Sequence, residues 1–168
     1  NGRLTQMTNA LGFSTSFEYD AMDRVVKVTD AKGNATTYTY DAVGNVSTET
    51  NAKGVTTSYV YDANYNLTSL TDAAGTSTYL YDAMDRVVGQ TDRRGNTQWF
   101  RYDAIGRITA VRDKNGNLTE YIYDGNGNIV KTIDALGTEA VFTYNKNDQL
   151  ISMDLHRMDT VNNVDSHE

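Results

Sequence analysis

Residues 40–46 read Tyr-Asp-Ala-Val-Gly-Asn-Val, and the same pattern returns along nearly the whole chain. A tyrosine followed by Asp, or once by Asn, recurs every 20 or 21 residues, at Tyr19, Tyr40, Tyr61, Tyr81, Tyr102, Tyr123 and Tyr144. An aromatic residue stands two positions before each of these tyrosines, and an aliphatic residue stands six positions after it. A fixed period of this length indicates an array of tandem repeats.

Each period contains two related turns. We call the turns that begin directly after the tyrosines the upper turns, and they begin at Asp20, Asp41, Asp62, Asp82, Asp103, Asp124 and Asn145. The lower turns lie between them and begin at Asn9, Asp30, Asn51, Asp72, Asp92, Asp113 and Asp134. The lower turns and three of the upper turns follow the frame Asp/Asn-x-x-Gly, which predicts a type I turn followed by a left-handed residue that starts a bulge and joins two antiparallel strands.

The fourth position of the turns differs between the two sets. All seven lower turns keep Gly there, whereas four upper turns replace it with Asp23, Tyr65, Asp85 or Asp148. Asp tolerates the left-handed region fairly well, but Tyr is unusual there. We therefore expect the upper turns to accept substitution more readily than the lower ones. One repeat also lacks a residue between Gly75 and Tyr81, which predicts a pinched turn or a local change of register.

Segments of about six residues rich in Thr, Tyr and Val separate the turns, and this composition favours strands. The predicted fold is all-β: tandem β-hairpin repeats of about 21 residues form a long, coiled antiparallel meander of about fifteen strands. Stacked tyrosines form a ladder that we expect to be its core. Residues 1–153 make up the array of about seven repeats. Residues 154–168 form a polar tail that we expect to be disordered or to begin the next element.

Composition excludes several classes of protein. The chain has 168 residues, no cysteine and no proline, so it has no disulfide framework and no thiolate chemistry. Its net charge of −7 comes from evenly scattered residues, which is a poor basis for binding nucleic acid. No apolar run is long enough for a membrane span, and no signal-peptide pattern follows the first residue. We interpret the chain as a piece of a longer protein.

The repeat resembles that of the YD-repeat, or rearrangement-hotspot (Rhs), family, whose pattern is G-x-x-T-x-Y-x-Y-D-x-x-G-R-L. Residues 33–46 and 95–108 are two copies of it, and the second has Gln98 in place of the Thr. The family includes polymorphic toxins, shell-forming subunits of insecticidal toxin complexes, and teneurins. The resemblance implies a β-hairpin strip that spirals into a hollow shell, which in the toxins encloses a toxic segment. Seven repeats are far fewer than a closed shell needs, and the proline-containing motif that closes such shells is absent.

Several short motifs are better explained by the repeat itself than by chemistry. Residues 113–117 and 124–128 resemble the start of a calcium loop but lack the Gly and Glu that an EF-hand requires. N-x-S/T sequons occur at Asn34, Asn45, Asn66 and Asn117. The two histidines, His156 and His167, lie outside the repeats at a spacing that fits no common metal motif. Trp99 falls on the face opposite the tyrosines, where a packed ring is favoured over a contact surface. We predict no catalytic, cofactor-binding or metal-binding residues.

The function expected from the repeat and the resemblance is structural. The chain would be a wall segment of a shell that encapsulates a toxin or cargo segment in a large exported bacterial protein, secreted or at the cell surface. Its partners would be further repeats and cargo of its own longer chain, with self-association through open sheet edges. The alternative is a carbohydrate- or cell-surface-binding adhesion module, since aromatic repeats of this length also build glycan-binding solenoids.

Overall fold

The computed structural model describes residues 2–157, which are all-β and contain no helix. The chain divides into two compact units, one up to Gly95 and the other from Asn96 onward. The first unit has nine strands: β1 Gln6–Thr8, β2 Ser14–Tyr19, β3 Val25–Thr29, β4 Ala35–Tyr40, β5 Val46–Thr50, β6 Thr56–Tyr61, β7 Leu67–Asp72, β8 Gly75–Tyr81 and β9 Val87–Thr91. The second has six: β10 Thr97–Tyr102, β11 Ile108–Arg112, β12 Leu118–Tyr123, β13 Ile129–Ile133, β14 Glu139–Tyr144 and β15 Leu150–His156.

Within each unit, strands that are consecutive in sequence pair antiparallel, which confirms the predicted meander of β-hairpins. Strand β15 continues to His156, three residues past the expected end of the array at residue 153. The remainder of the expected polar tail, residues 158–168, lies outside the described residues, so that expectation stays a prediction. No helix in the described range could cross a bilayer.

The two kinds of hairpin have the same loop but different strands. In the upper turn between β4 and β5, Asp41 N donates to Asn45 O at 2.9 Å, and Gly44 N donates to Asp41 O at 3.2 Å. Above this loop Tyr40 pairs with Val46, but Thr39 pairs with Thr48, so one residue of β5 bulges out. The lower hairpin between β5 and β6 closes with the same two backbone bonds and pairs without a bulge. A bulge adjacent to the tyrosine therefore marks the upper hairpins.

The fourth turn position has a left-handed backbone whichever residue occupies it. Asp23, Tyr65, Asp85 and Asp148 have φ between 58° and 69°, and they are the non-glycine residues of the described chain with positive φ. The glycines at the equivalent lower positions include Gly54, with φ of 77°. The sequence prediction for these turns is confirmed, including the strained backbone of Tyr65.

The repeat that is one residue short has a different lower turn. Asp72 pairs directly with Gly75, so Ala73 and Ala74 form a two-residue loop, as the missing residue predicts. A Cβ on Gly75 would lie 3.1 Å from the carbonyl oxygen of Arg93 in the next lower turn. The guanidinium of Arg93 also forms an ion pair with Asp72. This turn therefore packs against its neighbour.

The tyrosines are less buried than a core ladder implies. The aromatic side chains that pair across the strands, such as Tyr59 opposite Leu70, share one face, and they are half-buried. Among the described residues, Ala110 is the single buried apolar side chain, at 3% exposure. A one-layer sheet shields each ring only with its neighbours, because no second layer covers that face in either unit. The expectation that the ladder forms a true core is corrected to a half-buried layer.

Candidate functional site: the tyrosine ladder and the upper turns

The tyrosine hydroxyls tie consecutive repeats together. Strands β3 and β4 pair only from Lys27 to Thr29, so the carbonyl of Val25 lies beyond the last pair. The hydroxyl of Tyr40 donates to that carbonyl at 2.6 Å. The same bond recurs from Tyr19 to Leu4 O, Tyr81 to Leu67 O, Tyr123 to Ile108 O and Tyr144 to Ile129 O, at 2.7 to 2.9 Å. Each of these five tyrosines thus satisfies a carbonyl that strand pairing leaves open.

The aspartate after each tyrosine organises its own turn. Asp103 Oδ1 accepts the backbone N–H of Ile105 at 3.0 Å and that of Arg107 at 2.9 Å, and Oδ2 accepts Arg107 Nε at 2.6 Å. The Arg107 side chain is the main reason that the pKa of Asp103 is lowered from its ordinary value of 3.8. The pKa is likewise lowered at Asp20, Asp41, Asp62, Asp82 and Asp124. These carboxylates are held ionised, which suits an acceptor and not a general acid.

Two arginines at the fifth turn position also reach the next repeat. The guanidinium of Arg24 lies 4.5 Å from the ring centroid of Tyr40, and that of Arg107 lies 4.5 Å from the ring of Tyr123. Arg107 Nη1 also donates to the backbone carbonyl of Asp124 at 3.2 Å. Each of these arginines is fixed by the Asp of its own turn and stacks on the tyrosine that follows.

The left-handed aspartates accept bonds from the preceding upper turn. Asp85 Oδ1 accepts the side-chain amides of Asn64 at 2.9 Å and Asn66 at 2.6 Å. Asp148 Oδ1 does the same with Asn126 at 3.0 Å and Asn128 at 2.8 Å. Asp23 forms an ion pair with Arg3, and so all three left-handed aspartates bridge adjacent turns.

The loops that resemble calcium-binding sequences are filled by their own donors. Asp124 Oδ1 accepts the backbone N–H groups of Asn126 and Asn128, each at 2.9 Å, and Oδ2 accepts the Asn128 amide at 3.0 Å. Asp113 accepts the equivalent three bonds from Asn115 and Asn117. N–H groups point at both carboxylates where a cation would have to lie, which favours the ordinary turn over a calcium site.

The four sequon asparagines have a structural task in common. Each side-chain amide donates to the aspartate that begins its own turn: Asn34 to Asp30, Asn45 to Asp41, Asn66 to Asp62 and Asn117 to Asp113. The turn therefore accounts for the Asn of each sequon, and the Ser or Thr two residues later belongs to the strand that follows the turn. This agrees with the interpretation that the repeat produces these motifs incidentally.

One carboxylate interrupts the aromatic face. Glu49 lies opposite Tyr38 on one side and Thr57 on the other. Burial, followed by the charge of Glu49, raises the pKa of both Tyr38 and Tyr59. On the ladder face of the first unit, Glu49 therefore lies directly opposite Tyr38 and diagonal to Tyr59.

The opposite face differs between the units. In the first unit, hydroxyl side chains lie opposite one another in two rows: Thr37, Thr50 and Thr56, then Thr39, Thr48, Ser58, Thr71 and Thr76. In the second unit this face includes Trp99, which is 44% exposed and lies opposite Arg112. The ring is less packed than the sequence favours.

No group of three or more metal-ligating side chains occurs within residues 2–157. His156 lies on β15, and His167 is outside the described residues. Sequence reasoning missed the hydroxyl-to-carbonyl bonds and the arginine stacking. The spacing of 14 or 15 residues between each tyrosine and the aliphatic residue of the preceding repeat was the available signal for the hydroxyl bonds.

Comparison with known proteins gives a family and a fold. The model of the RHS repeat family matches residues 1–35, 23–56, 40–77, 61–97 and 102–139. No curated protein matches the chain.

Solved structures share its architecture at low identity. A Photorhabdus luminescens Tc holotoxin pore structure with a mutation in TccC3 aligns with a TM-score of 0.64 and 16% identity, over 87% of this chain and 9% of that one. The crystal structure of TcdB2-TccC3 aligns with a TM-score of 0.63 and 15% identity, over 89% of this chain and 10% of that one. The chain thus spans about a tenth of the length of these proteins, and at this identity they establish the fold alone.

Proposed function

Because the chain belongs to the RHS repeat family, we propose that it is a wall segment of an Rhs-type shell that encloses a toxin or other cargo segment. The longer protein would be a large exported bacterial one, secreted or at the cell surface. Its partners would be further repeats and the cargo of its own chain. The observation that carries this proposal is the bond from the hydroxyls of Tyr40, Tyr81, Tyr123 and Tyr144 to a carbonyl of the preceding repeat, which closes the gaps that strand pairing leaves there.

Encapsulation requires a wall whose backbone has no openings. Upper and lower hairpins alternate, and the bulge beside each tyrosine shortens the pairing with the strand beyond. Without the tyrosine, the row of unpaired carbonyls at the upper end of the strands would be solvated. Where the hydroxyl bond forms, the ring and hydroxyl replace that water and close the gap between the two strands.

The proposed role is non-enzymatic. In the upper turns the carboxylates accept N–H bonds from their own turn, and their pKa values are lowered. Catalytic carboxylates that act as acids have raised pKa values instead. The ionisable groups of the turns therefore act as structural acceptors.

Limited proteolysis of the longer parent protein tests the proposal. We expect its cargo segment to resist cleavage while the wall is intact, and to be cut much faster in a Tyr81→Ala variant, which loses the bond to Leu67 O. Thr78→Ala, on the same strand but on the exposed opposite face, is the matched control and should leave protection unchanged. If the cargo segment of the unmutated parent protein were cut as fast as that of the Tyr81→Ala variant, the proposal would be overturned.

The binding alternative rests on one observation, the Glu49 carboxylate opposite Tyr38 and diagonal to Tyr59. Aromatic rings that pack on sugar C–H groups, beside a carboxylate that accepts sugar hydroxyls, can form a saccharide-binding contact. A glycan array discriminates between the two functions. Reproducible binding that is lost in Glu49→Gln and retained in Thr78→Ala would favour the adhesion module.

A further inference from the structure

The sequence Asn-Gly-Asn occurs twice in the second unit, at residues 115–117 and 126–128. Asn115 is the third residue of a lower turn, Asn126 is the third residue of an upper turn, and both are exposed. Each precedes a glycine with a left-handed backbone, with φ of 89° at Gly116 and 96° at Gly127. The two asparagines therefore share the residues that follow them and their place in the turn.

An asparagine that precedes glycine is chemically reactive, because glycine has no Cβ to keep its backbone nitrogen away from the asparagine side chain. The glycine nitrogen gives its proton to a solvent base and bonds to the side-chain Cγ. The bond from Cγ to Nδ2 breaks, and ammonia leaves with a proton from solvent. Water then opens the resulting succinimide ring at either carbonyl, which gives aspartate or isoaspartate. The first step requires a side chain that is free to turn towards the nitrogen.

The turn that contains Asn126 is held by both neighbouring upper turns. The side-chain amide of Asn126 donates to Asp148 Oδ1 at 3.0 Å. From the other side, Arg107 Nη1 donates to the backbone carbonyl of Asp124 at 3.2 Å and lies 4.0 Å from the position of a Cβ on Gly127. Turning the Asn126 side chain towards the glycine nitrogen would break a hydrogen bond that has a charged acceptor.

The side chain of Asn115 has no such bond to any residue of the described chain. Its backbone N–H donates to Asp113 Oδ1 at 2.9 Å, as the N–H of Asn126 does to Asp124 Oδ1. Apart from the adjacent residues, no atom lies within 4 Å of the position of a Cβ on Gly116. The backbone bonds are thus equivalent in the two turns, which differ in what holds the asparagine side chain.

We propose that Asn115 is a site of spontaneous deamidation and that Asp148 protects Asn126 from the same reaction. In the isoaspartate product the main chain runs through the former side chain and is longer by one methylene. The lower turn closes with bonds from Gly116 N to Asp113 O at 3.0 Å and from Asp113 N to Asn117 O at 2.9 Å, which the longer main chain would disrupt. The reaction consumes water alone and does not depend on what a shell encloses.

Peptide mapping by mass spectrometry, after incubation of the chain in mildly alkaline buffer, tests the proposal. We expect Asn115 to deamidate about tenfold faster than Asn126, the factor that corresponds to a hydrogen bond with a charged acceptor. The rate should rise with pH, because the attacking nitrogen must lose its proton. In denaturant the two asparagines should react at similar rates, because the residues that follow them are the same.

Two matched variants isolate the protecting bond. Asp148→Gly removes the acceptor and keeps a residue that suits the left-handed backbone, so it should raise the rate at Asn126 about tenfold. Asp85→Gly, the same change in the first unit, should leave both rates unchanged. Equal rates at the two asparagines of the folded chain, or no reaction at Asn115, would overturn the proposal. A ratio that persists in denaturant, or an Asn126 rate insensitive to Asp148→Gly, would overturn it equally, and neither outcome affects the cargo-protection experiment.

Discussion

Upper and lower turns use the same three-residue loop, yet they hold the molecule together in different ways. Backbone bonds from Asp41 and from Asn51 close equivalent loops in the two sets. The upper turns also add contacts between repeats: tyrosine hydroxyls, stacked arginines and bridging aspartates. Among the lower turns, the shortened one at Asp72 forms an ion pair with Arg93 of the next lower turn. One loop type can therefore serve either as a simple connection or as a joint between repeats.

The largest effect should come from removing a tyrosine that joins repeats. Tyr123 donates to Ile108 O at 2.7 Å and carries Arg107 on its ring. Because the ring is half-buried, we expect Tyr123→Ala to lower the free energy of unfolding by about 2–3 kcal/mol, below the roughly 3–5 kcal/mol of a fully buried aromatic. Chemical denaturation measures it. A loss below about 0.5 kcal/mol would mean that the ladder does not stabilise the sheet.

Phenylalanine substitutions separate the hydroxyl from the ring. We expect Tyr123→Phe to cost about 1 kcal/mol, the usual value of a hydrogen bond. Tyr61 is the matched control, since its hydroxyl makes no such bond to a carbonyl within the described chain, and Tyr61→Phe should be close to neutral. Equal losses in the free energy of unfolding at the two positions would mean that the hydroxyl bond does not stabilise the contact between repeats.

The lower turns should be more sensitive than the upper ones at their fourth position. Gly54 has φ of 77°, and no atom would contact an added Cβ, so the penalty for Gly54→Val is backbone strain of about 1–3 kcal/mol. Gly44→Asp should cost clearly less. Asp already occupies that position in three repeats. In one of them Asp23 pairs with Arg3 of the preceding repeat, and Arg24 holds the same place relative to residue 44, so the new carboxylate has an equivalent partner. Thermal unfolding that shows equal losses would contradict this difference between the sets.

Tyr65 offers the reverse test. Its φ of 69° is strained for a bulky side chain, and the side chain is 62% exposed. We expect Tyr65→Gly to raise the free energy of unfolding by about 1 kcal/mol, because strain is relieved and little burial is lost. Gly106→Tyr, which creates the same strain in another upper turn, should lower it. A destabilised Tyr65→Gly variant would show that Tyr65 makes a contribution that its backbone does not reveal.

The repeat made much of this structure predictable, since turn chemistry is local. The period placed the strands, and the replacement of Gly at Asp23, Tyr65, Asp85 and Asp148 predicted positive φ there. A bulge was expected at the left-handed turn residue, but the bulge beside Tyr40 was not predicted, because it depends on how Val46 and Thr48 pair with the neighbouring strand. The half-burial of the rings was missed for a similar reason: it depends on whether a second layer covers them. The hydrogen bond from the Tyr40 hydroxyl to the Val25 carbonyl joins two repeats, and sequence spacing alone does not predict such a tertiary contact.

The smallest expected effect is the difference between an upper-turn aspartate and a lower-turn aspartate in how their contributions to stability respond to acid and to salt. The pKa is lowered at Asp103 mainly by the Arg107 side chain, and at Asp113 mainly by the Asn117 side chain. Since the unfolded chain takes up protons first as pH falls, the stability from each is complete above about pH 4 and is lost as pH falls through the lowered value. The difference in stability between the parent chain and each of the variants Asp103→Asn and Asp113→Asn should therefore be smaller at pH 2 than at pH 7.

Salt should distinguish the two variants, because 1 M NaCl screens the Asp103–Arg107 charge pair and leaves the Asp113–Asn117 hydrogen bond. Thermal midpoints of the parent and both variants at pH 7, in low and high salt, measure this. If salt changed the difference in thermal midpoint from the parent chain equally for Asp103→Asn and Asp113→Asn, the arginine would contribute to the contact between upper turns through stacking on Tyr123 and not through its charge.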